Sequence, residues 1–142
     1  MKLDINPEGG NTKAVADLLA KEFNVNAKSV EIPINEYTDV LFLGGGVYGR
    51  KMDESLSDYI KNLDSSKVGQ IICFSTTGFI NSTILQIKQK SAKKGIKVNK
   101  NTLLLKMLLK GHSWLGLNGG KLSDKQKNAV KRFTDTVRKD IL

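Results

Sequence analysis

The residues able to do chemistry fall in three short segments, each leaving an apolar run and entering a helical pattern. The first is Asn6-Pro7-Glu8-Gly9-Gly10-Asn11-Thr12-Lys13, where Gly9 and Gly10 let the backbone approach a ligand and Asn11 and Thr12 add side-chain donors at a helix start. Backbone N–H groups at such a start carry partial positive charge, so the turn can hold a phosphate monoester; a plain capped turn fits it equally well. The second, Gly44-Gly45-Gly46-Val47-Tyr48-Gly49-Arg50, places one aromatic between glycines on a loop of small residues. Tyr48 can stack on a flat ligand there or cover a neighbouring helix. The third, Ser75-Thr76-Thr77-Gly78-Phe79, offers hydroxyls and backbone donors after a buried strand, or a helix cap with Phe79 in the core.

Conventional catalytic groups are scarce beside these. Cys73 is the one cysteine and lies inside the apolar run Ile71-Ile72-Cys73-Phe74, which predicts a buried core thiol and excludes an intramolecular disulfide. The single histidine, His112, excludes most His-based zinc sites and leaves only a general base without an evident partner.

The elements that must position the three segments follow from hydrophobic periodicity. Met1–Ile5 reads as a first strand. Asn11–Phe23 is an amphipathic helix with Val15, Leu18, Leu19 and Phe23 inward, and Val25–Ile32 is a second strand. Val40-Leu41-Phe42-Leu43 is a continuous apolar run, as expected of a strand buried on both faces of a parallel sheet. Asp53 caps a second helix with Leu56, Ile60 and Leu63 inward, and Gln70–Phe74 is the next strand. A third helix over Ile80–Lys94 turns Ile84, Leu85, Ile87 and Ala92 inward, with Lys88, Lys90, Lys93 and Lys94 outward and Gly95 as its stop. Val98–Leu109 supplies the last strand, and Ser123 with Gln126 forms a capping box before a helix bearing Val130, Phe133, Val137 and Ile141. The Gly-rich stretch before it, with His112 and Trp114, is read as core or interface packing. Strands alternating with helices in this way predict a three-layer α/β/α sandwich, a single domain over residues 1–142, with ligands bound beyond the carboxyl ends of the strands.

With these residues in place the chain resembles the flavodoxin family, in particular its short bacterial members, over nearly its whole length. Gly9-Gly10-Asn11-Thr12 matches the end of the family's phosphate loop. Gly44-Gly45-Gly46-Val47-Tyr48-Gly49 matches the loop that covers one flavin face with an aromatic, and Phe74-Ser75-Thr76-Thr77-Gly78 the loop at the other face and the pyrimidine edge. The resemblance implies a five-stranded parallel sheet of order 2-1-3-4-5. It also implies noncovalent FMN held by Gly9, Gly10, Asn11, Thr12, Gly45, Gly46, Val47, Tyr48, Gly49, Ser75, Thr76, Thr77 and Gly78, and an electron carrier that serves redox partner proteins without a catalytic acid or nucleophile. In two places the chain departs from the family pattern. Pro7 stands where the family has Ser or Thr, with Glu8 beside it, and Asp4 lies in a strand expected to be central. Two other functions fit the same fold: a binding or scaffold module with a degenerate flavin site, and, ranking last, an FMN-dependent quinone reductase.

Length and charge bound these functions. The chain has 142 residues, enough for one domain of common size, and 39% hydrophobic against 26% charged residues is an ordinary globular composition. The net charge of +9 is unevenly spread. Residues 1–80 hold eight Lys and Arg against eleven Asp and Glu, and residues 81–142 hold fifteen against three. The basicity therefore lies outside the three segments, and nucleic acid is not the expected partner, because no aromatic is interleaved with the lysines to stack bases. No long apolar stretch predicts a leader or a membrane span, which makes a cytoplasmic protein the expectation.

Overall fold

The computed structural model describes residues 1–5, 10–48, 51–77, 82–106 and 122–141. In chain order its elements are β1 (Lys2–Ile5), α1 (Gly10–Phe23), β2 (Ala27–Ser29), β3 (Thr38–Tyr48), β4 (Lys51–Met52), α2 (Glu54–Asn62), β5 (Val68–Thr77), α3 (Ser82–Lys93), β6 (Lys97–Val98), β7 (Leu103–Lys106) and α4 (Asp124–Ile141).

Side-chain alternation in the two long strands creates three layers. Val40 and Phe42 of β3 join Ile72 and Phe74 of β5 beneath α1 and α4, where Val15, Leu19, Val130, Phe133 and Val137 close the core. Leu41 and Leu43 join Ile71 and Cys73 on the opposite face, beneath Leu56 and Ile60 of α2 and Ile84 and Ile87 of α3. Strands apolar on both faces need helices on both faces, which is why β3 and β5 read as unbroken apolar runs. Phe42 and Phe74 are fully buried, each contributing about 1.5–3 kcal/mol of apolar transfer.

The sheet runs β2-β1-β3-β5-β6, with β7 also paired to β5 and β4 paired to β3. Since β6 and β7 pair parallel with successive stretches of β5, they occupy one edge position, and the parallel part has the predicted 2-1-3-4-5 order. The sheet is not wholly parallel, however, because β4 pairs antiparallel with the end of β3. The continuous last strand expected over Val98–Leu109 is also broken: Asn99 separates β6 from β7, and residues 107–109 lie outside the described residues. Asn99 is buried, its N–H donates to the Ile71 carbonyl (2.8 Å), and its Nδ2 donates to Gln70 Oε1 and Asp140 Oδ2 (both 2.9 Å). A buried amide satisfied in this way anchors the sheet edge to the end of α4. Asp140 is held below the usual carboxylate range, chiefly by this Asn99 contact and further by Lys100.

Other boundaries shift by a few residues. Strand β2 is shorter than Val25–Ile32, and Ile32 is exposed. Leu85 and Ala92 of α3 face outward rather than inward, and Thr83 and Ser91 take the inward positions beside Ile84 and Ile87. Gly95 ends this helix as expected, at φ +74, with Ile96 N–H bonding the Ser91 carbonyl (3.0 Å) and Gly95 N–H the Ala92 carbonyl (2.9 Å). Asn24, at φ 53, ends α1 with the same pattern. Asp53 caps α2 by accepting from Ser55 N–H, and the Ser123–Gln126 capping box forms as the sequence predicts.

Candidate functional site

The described parts of the three candidate segments meet at the carboxyl ends of β3 and β5. Strands β3 and β5 stay in parallel register to their ends, pairing Gly45 with Ser75 and Gly46 with Thr76. The glycine segment is therefore not a loop: β3 runs through Gly44, Gly45, Gly46, Val47 and Tyr48, then pairs Val47 with Met52 and Tyr48 with Lys51 in an antiparallel return. Ser75, Thr76 and Thr77 likewise belong to β5. A run of glycines weakens a strand in isolation, and here the long β5 partner and the buried hydroxyls beside it supply the missing order.

Four hydroxyls lock this end of the sheet. Thr12 Oγ1 lies 2.6 Å from Thr76 Oγ1, tying the first turn of α1 to the end of β5 across 64 residues of sequence. Ser75 Oγ donates to the Gly45 carbonyl (2.8 Å), and Thr83 Oγ1, from α3, donates to the Gly46 carbonyl (2.9 Å). Thr12, Ser75, Thr76 and Thr83 are all buried. Such bonds are worth about 0.5–1.5 kcal/mol each when made, and more is lost when one partner is left alone. Thr83 was not among the sequence candidates; its only signal is a hydroxyl in the first turn of the helix that follows the third segment.

Two further features concern charge and polarity. Neither α1 nor α3 carries an acid in its first turn, whereas α2 begins with Glu54 and α4 with Asp124. The dipoles of α1 and α3 therefore act at this pole without a carboxylate of their own first turn to offset them. Ser82, the first residue of α3, has a buried hydroxyl with no hydrogen-bond partner among the described residues. Gly44 has a different role, since a Cβ there would lie 2.4 Å from the Phe74 ring: this glycine makes room for a core aromatic.

Of the predicted site residues, Thr12, Gly45, Gly46, Ser75 and Thr76 are thus brought together. Gly10, at the first position of α1, and Asn11, Val47, Tyr48 and Thr77 are placed by their backbones in α1, β3 and β5. Gly9, Gly49 and Gly78 lie outside the described residues, as do Pro7, Glu8, His112 and Trp114. Cys73 is fully buried two residues before Ser75, and burial pushes its thiol up to about 12. Among the described residues no group of three or more His, Cys, Asp or Glu could hold a metal ion, and no helix is long and apolar enough to cross a membrane.

No family model and no curated protein sequence matches the chain. Solved structures do. A flavodoxin from the domain Archaea superposes with a TM-score of 0.70 at 17% identity, covering 99% of this chain and 98% of that one. Oxidised flavodoxin 2 from Bacillus cereus superposes at 0.71 with 13% identity, covering 99% and 100%. Two-electron reduced Megasphaera elsdenii flavodoxin superposes at 0.62 with 17% identity, covering 95% and 99%. The chain has a flavodoxin-like α/β fold over essentially its full length.

Proposed function

We propose that the chain binds FMN noncovalently at the carboxyl end of its sheet and carries electrons between redox partner proteins. The observation that carries this reading is the Thr12–Thr76 contact, which joins the glycine turn and the hydroxyl segment at the end of β5, beside the paired glycines of β3. The donor set suits the cofactor. The start of α1, acid-free in its first turn, offers Gly10, Asn11 and Thr12 to a phosphate dianion. Val47 and Tyr48 would border one ring face, and Thr76, Thr77 and Gly78 the other face and the polar edge. Ser82 adds a buried hydroxyl without a partner among the described residues.

FMN, when bound, supplies the one- or two-electron chemistry, and this chain's residues bind, orient and exclude water. Thr83 and Ser75 hold the Gly46 and Gly45 carbonyls, which anchors this stretch of β3 beside the site. The Thr12–Thr76 pair holds a single bridging proton, and only one of its two arrangements suits a phosphate. If Thr76 donates to Thr12, the Thr12 proton stays free for a phosphate oxygen; in the reverse arrangement it is consumed.

Pro7 and Glu8, just ahead of α1 in the sequence, and Asp4 in β1 favour a second reading in which the fold is a binding module without flavin. One experiment separates the two. Protein incubated with FMN and desalted should keep flavin absorbance with quenched fluorescence, and after reduction it should pass electrons to an external acceptor such as cytochrome c. Colourless protein after desalting, with no measurable FMN titration, would favour the second reading.

A further inference from the structure

Helix α3 contains no acidic residue, and no Asp or Glu occurs anywhere between Asp64 and Asp124. Lys88, Lys90 and Lys93 lie in the helix and Lys94 follows it directly. Surface helices usually offset such charge with acids a turn away; here none is available on the same helix. A groove of about 240 Å³ between α2 and α3 is lined by Ser57, Ile60, Lys61, Lys90, Lys93 and Lys94. Among the described residues none of these lysines, nor Lys88, forms an ion pair. Asp64 is the acid that feels Lys94 and Lys67, although its lowered pKa comes first from Ser66. Lys94 Nζ donates to the Lys61 carbonyl (2.5 Å), which fixes the groove's end and satisfies a carbonyl from the last turn of α2.

The outward stripe of α3 is not purely charged. Leu85 is 49% exposed, and Gln89 and Ala92 continue its line at positions i+4 and i+7. On a helical wheel Lys90 and Lys93 flank this stripe toward the groove and Lys88 flanks it on the other side. An exposed leucine, with a small alanine two turns on, rimmed by one sign of charge has the layout of a protein-binding surface.

We propose that the outward face of α3 and the adjoining α2–α3 groove dock an acidic amphipathic segment of a partner protein. An apolar side chain would sit on Leu85 and Ala92, and carboxylates would meet Lys61, Lys90, Lys93 and Lys94. Charge complementarity selects an acidic occupant, and the exposed leucine selects a protein over a phosphate backbone, which has nothing apolar to set against it. The face also lacks arginine and aromatics, the side chains that read or stack bases. One exposed leucine is too little for stable seating in a lipid interface. The surface stands apart from the FMN reading, because none of its residues belongs to the strand-end segments.

The test uses ¹⁵N-labelled full chain at physiological ionic strength. Its probes are a synthetic amphipathic Glu/Leu peptide, polyglutamate of equal charge, duplex DNA and phosphatidylserine vesicles. The peptide should bind and shift the amides of Leu85–Lys94 and Ser57–Asn62. Leu85→Ser should weaken it at least about fivefold, and the doubly substituted Lys90→Glu, Lys93→Glu protein by more, with polyglutamate weaker than the peptide by a similar factor. All three positions tolerate polar side chains, and circular dichroism confirms that the variants fold. Absence of shifts on these amides, a peptide no tighter than polyglutamate, unchanged binding in Leu85→Ser, or DNA or vesicles binding more tightly than the peptide would each overturn the proposal.

Discussion

Replacing Thr12 and Thr76 by valine, singly and together, probes the contact that assembles the site. The two hydroxyls lie 2.6 Å apart and both residues are buried, so Thr76→Val replaces the partner of Thr12 Oγ1 with an apolar methyl. An unpaired buried hydroxyl costs about 1–3 kcal/mol, and Thr12→Val orphans Thr76 by a similar amount. In the double variant neither hydroxyl remains and two methyl groups pack where two oxygens did, which is close to neutral. The expected coupling is thus about 2–6 kcal/mol, with the double variant more stable than the sum of the singles implies. Urea unfolding with an unchanged m-value measures all four corners of the cycle. Two singles whose losses add to that of the double variant would refute the view that this pair ties α1 to β5.

Three other perturbations have defined outcomes. Gly44→Ala drives a Cβ to within 2.4 Å of the Phe74 ring and should cost at least about 1–3 kcal/mol, partly recovered by Phe74→Leu in the same chain; a thermally unaffected Gly44→Ala protein would contradict the packing described. The Asp140 carboxyl titrates below its ordinary 3.8 because Asn99 and Lys100 favour the anion. Its stabilising share is therefore complete above that ordinary value and is lost as pH falls through the lower folded one. A carbon NMR titration of Asp140 should show its midpoint rising in Asn99→Ala, and an unmoved midpoint would assign the shift elsewhere. Cys73, fully buried with its thiol near 12, should resist a disulfide reagent at pH ~8 in the native state and react once urea unfolds the chain; rapid native labelling would mean that this face of the sheet opens readily.

The layer architecture was legible because β3 and β5 alternate their apolar residues toward two helix layers, and that pattern survives in the bare sequence. The extent of β3 was not, because Gly44, Gly45 and Gly46 carry no side-chain pattern; what makes them strand is the register with Phe74, Ser75 and Thr76, a long-range pairing. The break at Asn99 was hidden for the same reason, since its partners Gln70 and Asp140 lie 29 and 41 residues away. In α3 an inward stripe including Leu85 and Ala92 is consistent on apolar character alone, yet the sheet takes Thr83 and Ser91 instead, with the Ser91 hydroxyl left without a partner among the described residues. At the site, residue types announced a polar, glycine-rich pole, whereas the Thr12–Thr76 and Thr83–Gly46 contacts exist only because the sheet order places α1 and α3 beside β3 and β5.

Parallel titrations with FMN and riboflavin, followed by flavin fluorescence and by amide shifts of the labelled protein, test the central claim most directly. FMN should bind with one-to-one stoichiometry and at least about tenfold more tightly than riboflavin, the difference expected of a phosphate held at a helix start, with shifts at Gly10–Thr12, Gly45–Tyr48 and Ser75–Thr77. Equal affinity for the two flavins, or no binding of either, would contradict it.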